Sequence, residues 1–529
     1  MNWRLAIFFV LLAPAVTRAH VGSPNVFFEG HAGEYPVRVA IRPPAVLPGT
    51  AQVDVRFADG LVTNVSIEAR VFGAGEEARQ PIVRAAAVRG DTNLFNGAIW
   101  LMLKGSYSVD VTAEGSKGAG KVSVPLNSAA LQAPVMRGGW QGVLIGIGVL
   151  LFLGAVGLAG AAARDYGLDE GALAPVRDKR RGYLAAVVTA LVLGGGIIAG
   201  KARWQAMDRD FRSNALNKPS PVLASTKTNA GMQFLHLENA RENTALGPTW
   251  ENLAADHGKL MHLFLLKEPG YEAFAHLHPV RRDGHSFESI VPPLPAGRYD
   301  LYAEITYDNG ANETLVTNIE LNAVGGAAPQ MNPMTNSVND VLCQSGIIPT
   351  GNAAAPIALD ADDSWHVARR ELNGLKDQNQ ALMATAGSPN LKFCRLMGGA
   401  SMVYEGPTAL APDQETSLRF SLFDADGKPV SLEPYMGMLG HAVVRRMDGT
   451  VFTHLHPMGT ISMAAQTILA GQQRDPGTNL IAQSLSRQIK ENAVSFPYAF
   501  PRGGEYRVWV QVRVSGRVLT GVFDLTVKG

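Results

Sequence analysis

Three histidines lie in a predicted β-hairpin near the C-terminal end of the chain, in the stretch GMLGHAVVRRMDGTVFTHLHPMG. Its Asp448-Gly449 pair is typical of the two-residue loop of a type I′ hairpin. Counting outward from that loop pairs His441 with His456, and His454 lies two residues before His456 on the same strand. Because side chains alternate between faces along a strand, the sequence predicts that the three imidazoles meet on one face of the hairpin.

Three methionines, Met436, Met438 and Met458, flank these imidazoles. Imidazole nitrogens and thioether sulfurs with no carboxylate among them favour a borderline-to-soft ion, copper before zinc and well before calcium. We therefore predict a copper site, for Cu(I) or Cu(II), with the three methionines among its ligands. Packing in the core is the alternative role for these methionines, because thioether side chains commonly fill apolar gaps.

An earlier stretch, ADHGKLMHLFLLKEPGYEAFAHLHP, repeats the pattern with His262, His276 and His278. The match continues beyond the histidines, since LPAGRYDLYAEITY after the first copy corresponds to FPRGGEYRVWVQVRV after the second. These similarities indicate a duplicated domain. In this alignment His257 takes the place of Met436, which predicts a nitrogen-rich first copy suited to Cu(II) and a sulfur-bearing second copy suited to Cu(I).

A single His-Leu-His string is more often a polar strand edge or a hydrogen-bonded pair than a metal site. Its repetition in the same context favours the metal interpretation. We expect the two hairpins to lie open at the surface, because mixed His and Met ligands in an open site exchange their ion more readily than a closed four-ligand structural site.

The 529-residue chain carries a formal net charge of +1, which argues against nucleic-acid binding and against strong electrostatic steering. Its length accommodates about three domains. No Ser/His/Asp set, pair of carboxylates or phosphate-binding loop stands out, so the sequence favours a protein that is not an enzyme.

Residues 1–19 resemble a secretory signal peptide, with a short basic start, an apolar run too short to span a bilayer, and small residues at the predicted cleavage site. Cleavage after Ala19 makes His20 the mature N-terminus, where its α-amine and a ring nitrogen can chelate copper, with His31 as the natural second residue. The alternative is that His20 is an ordinary frayed terminus.

Two apolar segments, residues 139–163 and 183–200, are predicted to be transmembrane helices. Residues 164–181 between them contain the basic run VRDKRR, which the positive-inside rule assigns to the cytoplasm. The large segments on either side are therefore expected on the periplasmic face of the inner membrane in a Gram-negative envelope.

The remaining sequence predicts a mainly β protein. Alternating stretches separated by Gly and Pro turns predict Ig-like β-sandwich domains at residues 20–130, 222–325 and 395–529. Residues 326–394 are rich in Gly, Pro and Asn and are predicted to be a linker. The third domain contains an insertion, MAAQTILAGQQRDPGTNLIAQSLSRQIKENAV, which is partly helical by pattern and could be a lid, a partner surface or a plain excursion.

Cys343 and Cys394 are the only cysteines in the chain. A disulfide between them is the default expectation in an exported protein. The alternative is that Cys394, with Met397 in FCRLM, is a soft metal ligand.

The hairpin with its HLHP string, the preceding DADGKPVSLEPYMGMLGHAVV and the following Gly-x-Tyr strand resemble the YtkA-like family of exported β-sandwich domains, which are linked to copper binding. The resemblance covers both C-terminal domains and implies that their histidine trios, named above, are metal ligands. A histidine directly after the signal sequence is similar to the start of CopC-type periplasmic copper proteins. Together these resemblances imply three Ig-like or CopC-like sandwiches plus two transmembrane helices.

The leading functional hypothesis is a membrane-anchored periplasmic protein that binds copper in both hairpins and buffers it or delivers it, for example to a copper-dependent oxidase or an efflux system. One alternative is an Ig-like envelope module that binds a protein partner without metal. Another is a copper enzyme that uses the N-terminal His20 for oxidative chemistry.

Overall fold

The computed structural model describes residues 20–21, 25–73, 80–132, 138–169, 171–214, 220–229, 232–240, 249–322, 359–368, 392–396, 399–472 and 492–529. Within these residues the chain is mostly β-strand in antiparallel sheets, with three helices. The predicted mainly β class is confirmed. The predicted signal peptide lies outside the described residues.

The first unit contains two sheets. One has the order β2-β3-β4-β8-β7, formed by β2 (Val26–Ala32), β3 (Tyr35–Arg42), β4 (Gly49–Phe57), β7 (Ala86–Val88) and β8 (Asp91–Leu101). The other has the order β10-β9-β5-β6, formed by β5 (Val62–Val71), β6 (Val83–Arg84), β9 (Gly105–Gly115) and β10 (Gly118–Ser128). Alternate residues such as Val37, Val39 and Ile41 are buried in the core between these sheets, as a period of two requires.

Two long helices, α1 (Gly138–Asp165) and α2 (Val176–Asn214), follow the first unit. Both are long and apolar enough to cross a membrane, and almost none of their apolar surface is buried against the rest of the protein. They approach each other closely at Gly160 and Gly182, where an added Cβ on Gly182 would lie 2.8 Å from the Gly160 carbonyl oxygen. Both helices extend beyond the predicted spans.

The second unit is built from strands in the order β16-β17-β12-β11-β19-β18-β14-β15-β20, with β13 paired to β18. These strands are β11 (Ser220–Asn229), β12 (Met232–Asn239), β13 (Leu253–Ala254), β14 (His262–Lys267), β15 (Ala273–Leu277), β16 (Val280–Arg281), β17 (Ser286–Val291), β18 (Gly297–Tyr307), β19 (Asn312–Leu321) and β20 (Ser364–Val367). Strand β11 joins the two halves because it pairs with both β12 and β19.

The third unit has one sheet in the order β21-β22-β23-β26 and another in the order β1-β25-β24-β27-β28. Their strands are β1 (His20–Val21), β21 (Lys392–Arg395), β22 (Ser401–Tyr404), β23 (Thr416–Phe423), β24 (His441–Arg446), β25 (Val451–Leu455), β26 (Ala493–Tyr498), β27 (Gly504–Val514) and β28 (Arg517–Val527). Helix α3 (Met463–Gln472) begins the predicted insertion, whose residues 473–491 lie outside the described part.

Two segments join sheets outside their predicted domains. Strand β1, predicted to start the first domain, pairs in parallel with β25 of the third unit, with His20 opposite Val451. Strand β20, from the predicted linker, is the edge strand beside β15. The segment around β20 is therefore part of the second unit, and Cys343 lies outside the described residues.

The sheets that carry the two hairpins pack face to face. Phe274 stacks on Trp509 at a centroid distance of 5.2 Å, and Tyr302 stacks on Phe452 at 3.8 Å. Each stack pairs a hairpin residue of one copy with a residue from the following Gly-x-Tyr strand of the other copy. The duplicated domains are therefore related by an approximate two-fold axis that runs through this contact.

Arg445, on β24 of the third unit, stabilises this contact through residues of the second unit. Its side chain is 3% exposed, pairs with Asp300, lies 3.6 Å from Glu268 and covers the ring of Tyr271 at 4.1 Å. Burial of this guanidinium is tolerated because two carboxylates and an aromatic face surround it.

Replacement of Arg445 by methionine is expected to destabilise the contact by about 3–5 kcal/mol, because it leaves two neighbouring carboxylates without their cation. Thermal unfolding of the unmodified protein and of the Arg445→Met variant measures the loss of stability. Arg38→Met is the matched control, since the Arg38–Glu29 pair is well exposed and is expected to contribute about 1 kcal/mol or less. Equal melting temperatures for the two variants would contradict the prediction.

Candidate metal centre

The registers of the two hairpins agree with the predicted pairing. Ala442 lies opposite Leu455 and Val443 opposite His454, so one further step places His441 opposite His456. In the first copy Leu263 lies opposite Leu277, which places His262 opposite His278. Each hairpin therefore brings its three histidines to one face, as the alternation of side chains requires.

The hairpins are not open at the surface, and in this respect the expectation was wrong. His262, His276, His278, His441, His454 and His456 are all at most 6% exposed. They are buried because apolar side chains such as Phe264, Val443 and Phe452 share the same strand faces and pack between the two units. A face with this composition is covered by another sheet rather than left to water.

One continuous seam therefore holds the six hairpin histidines and His257. The ring centroids of His262 and His454, from different copies, lie 5.5 Å apart. His257, from the first copy, lies 5.0 Å from both His441 and His456 of the second. We call this set of seven histidines the seam.

The seam contains two groups with metal-ligand spacing. His262, His276 and His278 form the first pocket, and His257, His441 and His456 form the second. In each group the candidate ligand atoms all lie within 4.8 Å of one another. The second pocket is shared, because His257 comes from the first copy and the other two histidines from the second.

Backbone carbonyls fix the ring orientation of three histidines. His262 Nε2 lies 3.2 Å from the Asp256 carbonyl oxygen, and His441 Nε2 lies 3.3 Å from that of Tyr435. His456 Nδ1 lies 3.0 Å from the Ile461 carbonyl oxygen. A carbonyl oxygen only accepts, so each of these ring nitrogens donates its N–H and the other nitrogen of the neutral ring presents a lone pair.

Side-chain oxygens hold the other three hairpin histidines in the same way. His278 Nδ1 lies 2.9 Å from Asp363 Oδ1, and His276 Nδ1 lies 2.9 Å from Gln511 Oε1. His454 Nδ1 lies 3.1 Å from Glu304 Oε2. Outer acceptors of this kind set the tautomer and direction of metal-ligating histidines. Six outer nitrogens therefore face oxygens, and six inner nitrogens face the pockets.

The inner nitrogens approach one another closely. His262 Nδ1 lies 3.0 Å from His276 Nε2, and His441 Nδ1 lies 3.3 Å from His454 Nε2. The Nε2 atoms of His257, His278 and His456 are buried and have no hydrogen-bond partner. Facing lone pairs repel unless a cation lies between them. With metal–nitrogen bonds of about 2.0–2.1 Å, these separations correspond to ligand angles of about 95–110°, close to tetrahedral.

Burial keeps these imidazoles neutral. It lowers the pKa of His262, His276, His441 and His454 well below the ordinary histidine value, and the charge of neighbouring imidazoles lowers it further. Burial also lowers the pKa of His257, and to a lesser degree that of His456. The histidines of the pockets therefore bind protons weakly and are neutral at physiological pH. Neutral imidazole is the form that binds metals.

Two outer partners differ between the copies. Asp363 faces His278 where the Ile461 carbonyl faces His456, and Gln511 faces His276 where Glu304 faces His454. Glu304 and Gln511 hold equivalent strand positions, each opposite the first histidine of its hairpin. Burial, together with the charge of Asp256, raises the pKa of Glu304 to about 8. A neutral carboxyl group can donate as well as accept, so the Glu304 side of the seam can exchange a proton where the Gln511 side cannot.

The loop that carries His257 is tied to helix α3. Asp256 Oδ2 accepts hydrogen bonds from Ser462 Oγ at 2.9 Å and from the Met463 backbone N–H at 3.2 Å, at the start of that helix. His257 has a φ of 53°, and Met436 at the equivalent turn has a φ of 49°. The alignment of these two positions is thus reflected in the backbone, where each loop turns in the left-handed region.

The predicted methionine ligands lie in apolar surroundings. Met438 and Met458 belong to the buried cluster that includes Phe28 and the rest of the first unit's core. Met436 packs with Tyr435 and Val518. The two groups with metal-ligand spacing consist of histidines, and a role for the three methionines as ligands stays a prediction.

Of the other predicted site residues, His31 and Cys394 have side chains in the described part of the chain. His31 is on β2 and belongs to neither group. The side chain of His20 lies outside the described part, as does Cys343. Cys394 Sγ accepts a hydrogen bond from the Val522 backbone N–H at 3.4 Å. The disulfide and the N-terminal copper site therefore stay predictions.

Four residues that contact the seam histidines were not predicted from the sequence: Asp256, Glu304, Asp363 and Gln511. Glu304 and Gln511 lie on the strands that follow the hairpins, and Asp363 lies in the predicted linker. The conserved spacing between the two copies within this chain could have indicated Glu304 and Gln511, since each occupies the same place after its own Gly-x-Tyr. Asp363 carries no such signal.

A cavity of about 480 Å³ reaches the seam from the junction of the three units. Its lining includes His262, His454 and His456 at the inner end and the exposed residues Lys104 and Asn309 at the outer end. One histidine of each pocket, His262 and His456, therefore borders a cavity that extends to the surface.

Comparisons with known proteins identify the third unit only in part. Residues 397–529 match a family described as a domain of unknown function (DUF8832). No curated protein matches. The match covers about a quarter of the chain and assigns no activity.

Similar solved structures include dimeric latent PorU from Porphyromonas gingivalis, at 7% identity and a TM-score of 0.13, covering 91% of this chain and 32% of that one. A trypsin-activated alpha-2-macroglobulin from Escherichia coli matches at 9% identity and a TM-score of 0.18, covering 95% and 35%. A tetra-tandem repeat of a large adhesion protein matches at 10% identity and a TM-score of 0.13, covering 90% and 95%. This chain thus spans about a third of PorU, and none of these matches bears on metal binding or on the YtkA-like resemblance.

Proposed function

We propose that this protein is a membrane-anchored metal-binding protein that holds copper in the seam between its two repeated domains and buffers or delivers it. The observation that carries the proposal is the arrangement of the hairpin histidines, each with an outer nitrogen held by an oxygen and an inner nitrogen directed into a pocket. A buried cluster of histidines that serves only a structural role does not need ring nitrogens whose lone pairs face one another. A metal-binding site does need them, because the lone pairs bind the ion.

Copper is favoured by the donor set and by the Irving–Williams order, in which Cu²⁺ binds nitrogen sites more tightly than the other divalent first-row metals. Because the two groups with metal-ligand spacing consist of imidazoles, we assign Cu(II) to both copies. This revises the division of Cu(II) and Cu(I) between the copies. The resemblance to YtkA-like copper domains is part of the same proposal. Zinc is the competing ion, since it also accepts three or four imidazoles.

Placement in the inner membrane also belongs to the proposal. Helices α1 and α2 have the length and composition of spans, and the basic residues between them favour a cytoplasmic loop. The three β units would then all face the periplasm, where copper is received or passed on to a copper-dependent oxidase or an efflux system. The cavity at the junction of the units provides a route for exchange that a closed structural site would lack.

The test is copper binding by the full-length protein in detergent, with zinc as competitor. Asp363→Ala removes the oxygen that orients His278 and is expected to weaken binding about 10–100-fold, as for other residues that hydrogen-bond to a metal-ligating histidine. Asp524→Ala is the control, because Asp524 pairs with Arg507 at the surface. Absence of copper binding by the unmodified protein would overturn the proposal, and preferential zinc binding would overturn the choice of metal.

A further inference from the structure

We propose that the seam holds two metal ions side by side, as a dinuclear centre, rather than one ion that the seven histidines share. This inference rests on the proposed function and specifies its site. The two pockets have separate sets of inner nitrogens, and the geometry of each set fits one ion.

The first pocket has the size of a three-imidazole site. Its ring centroids are separated by 5.3 Å between His262 and His276, 5.1 Å between His262 and His278, and 4.7 Å between His276 and His278. The centre of such a triangle lies about 3 Å from each centroid, which is the distance expected when a ring nitrogen binds an ion at about 2.0–2.1 Å. One ion therefore reaches all three rings.

The second pocket has the same size, but its histidines come from both repeats. His257 lies 5.0 Å from His441 and 5.0 Å from His456, and His441 lies 5.1 Å from His456. His454 adds a fourth ring at 4.5 Å from His456 and 5.4 Å from His441. This ion would bind three or four imidazoles, one of them supplied by the other repeat.

The pockets adjoin each other. His454 lies 5.5 Å from both His262 and His276, and His257 lies 6.2 Å from His262. From these separations the two centres are on the order of 7 Å apart, too far for one ion with bonds of about 2 Å to serve both sets of nitrogens. The distance is short enough for two Cu(II) ions to interact magnetically.

Two aspartates beside the seam supply negative charge, which offsets part of the cost of burying cations. Asp363 contacts His278 in the first pocket. Asp256 Oδ1 is buried without a hydrogen-bond partner and lies 3.5 Å from His257 Nε2. A cation bound by His257 would lie close to this carboxylate oxygen, whose negative charge would offset part of the cost of its burial.

The experiment titrates copper(II) sulfate into the full-length protein in detergent and follows electron paramagnetic resonance at each equivalent. We expect a half-field transition, the signature of two interacting Cu(II) ions, to appear as the second equivalent binds. His278→Gln and His456→Gln each damage one pocket and are expected to abolish that transition while leaving one equivalent with an isolated Cu(II) spectrum. His236→Gln, on β12 and outside the seam, is the control and is expected to retain it.

The outcomes separate this inference from the proposed function. Binding of a single equivalent, or of two equivalents with only isolated Cu(II) spectra, would overturn the dinuclear centre and leave copper binding in place. Absence of copper binding would overturn both. Titration of the unmodified protein distinguishes one bound ion from two, so the test does not depend on the stability of the variants.

Discussion

Simultaneous replacement of His262 and His441 by alanine is expected to abolish copper binding in the seam. Each residue supplies the inner Nδ1 of its own pocket, and each is paired across its hairpin with an inner Nε2 at 3.0–3.3 Å. Loss of a ligand from both pockets should exceed the roughly 10–100-fold effect of losing an outer partner. Isothermal titration and metal analysis of the purified full-length protein measure this loss.

Folding must be monitored in the same variant. Both side chains are buried, and their removal takes one of two donors from the carbonyl oxygens of Asp256 and Tyr435, which keep the backbone N–H groups of Lys259 and Met438. Each lost hydrogen bond is expected to cost about 1 kcal/mol. His262→Gln with His441→Gln, which retains a donor at each position, is the second variant. If either folded variant binds copper as tightly as the unmodified protein, the histidines named here are not the ligands.

Acidification of the metal-free protein is expected to destabilise the contact between the second and third units. In the unfolded chain a histidine binds a proton near pH 6.5, whereas the folded seam lowers the pKa of His257, His262, His276, His441 and His454 well below that value. The unfolded state therefore binds more protons, and stability is lost as the pH falls below about 6.5 toward the folded pKa values.

The loss should be large because several groups act together, and each pKa unit of depression corresponds to about 1.4 kcal/mol. Glu304 acts in the opposite sense, since its pKa is raised to about 8 in the folded state, but it is one group against five. Thermal unfolding between pH 7.5 and pH 5, with and without copper, measures the effect. A melting temperature that does not fall over this range in the metal-free protein would contradict the neutral, buried state of the seam.

The hairpins could be predicted from sequence because their signals are local. Asp448-Gly449 fixes the loop, the period of two fixes the face, and together they fix the register that places His441 opposite His456. The duplication supplied the second copy in the same way. The mainly β class and the two long apolar helices follow from equally local patterns.

The partner of each hairpin face could not be predicted because it depends on contacts between distant segments. His454 meets Glu304, which lies 150 residues earlier, and His276 meets Gln511, which lies 235 residues later. One signal was present, since Phe264 and Phe452 lie on the same strand faces as the histidines, and such a face is not stable in water. The histidines indicated a metal site, and the phenylalanines on the same faces indicated that this site is buried.

The methionine ligands were predicted from proximity in sequence alone. Met438 and Met458 flank the hairpin, but the chain turns there so that both enter the core of the first unit. Adjacent residues at the end of a strand point in different directions, and only packing decides which of them faces the site.

His257 belongs to the first repeat but completes the pocket of the second. This arrangement also bears on how such a protein could arise. A single-copy ancestor with this hairpin would have assembled the same seam only as a symmetric pair of identical chains, each completing the other. In a tandem repeat the two halves are free to differ, and the differences between Glu304 and Gln511, and between His257 and Met436, are ones that a homodimer could not have on one side alone.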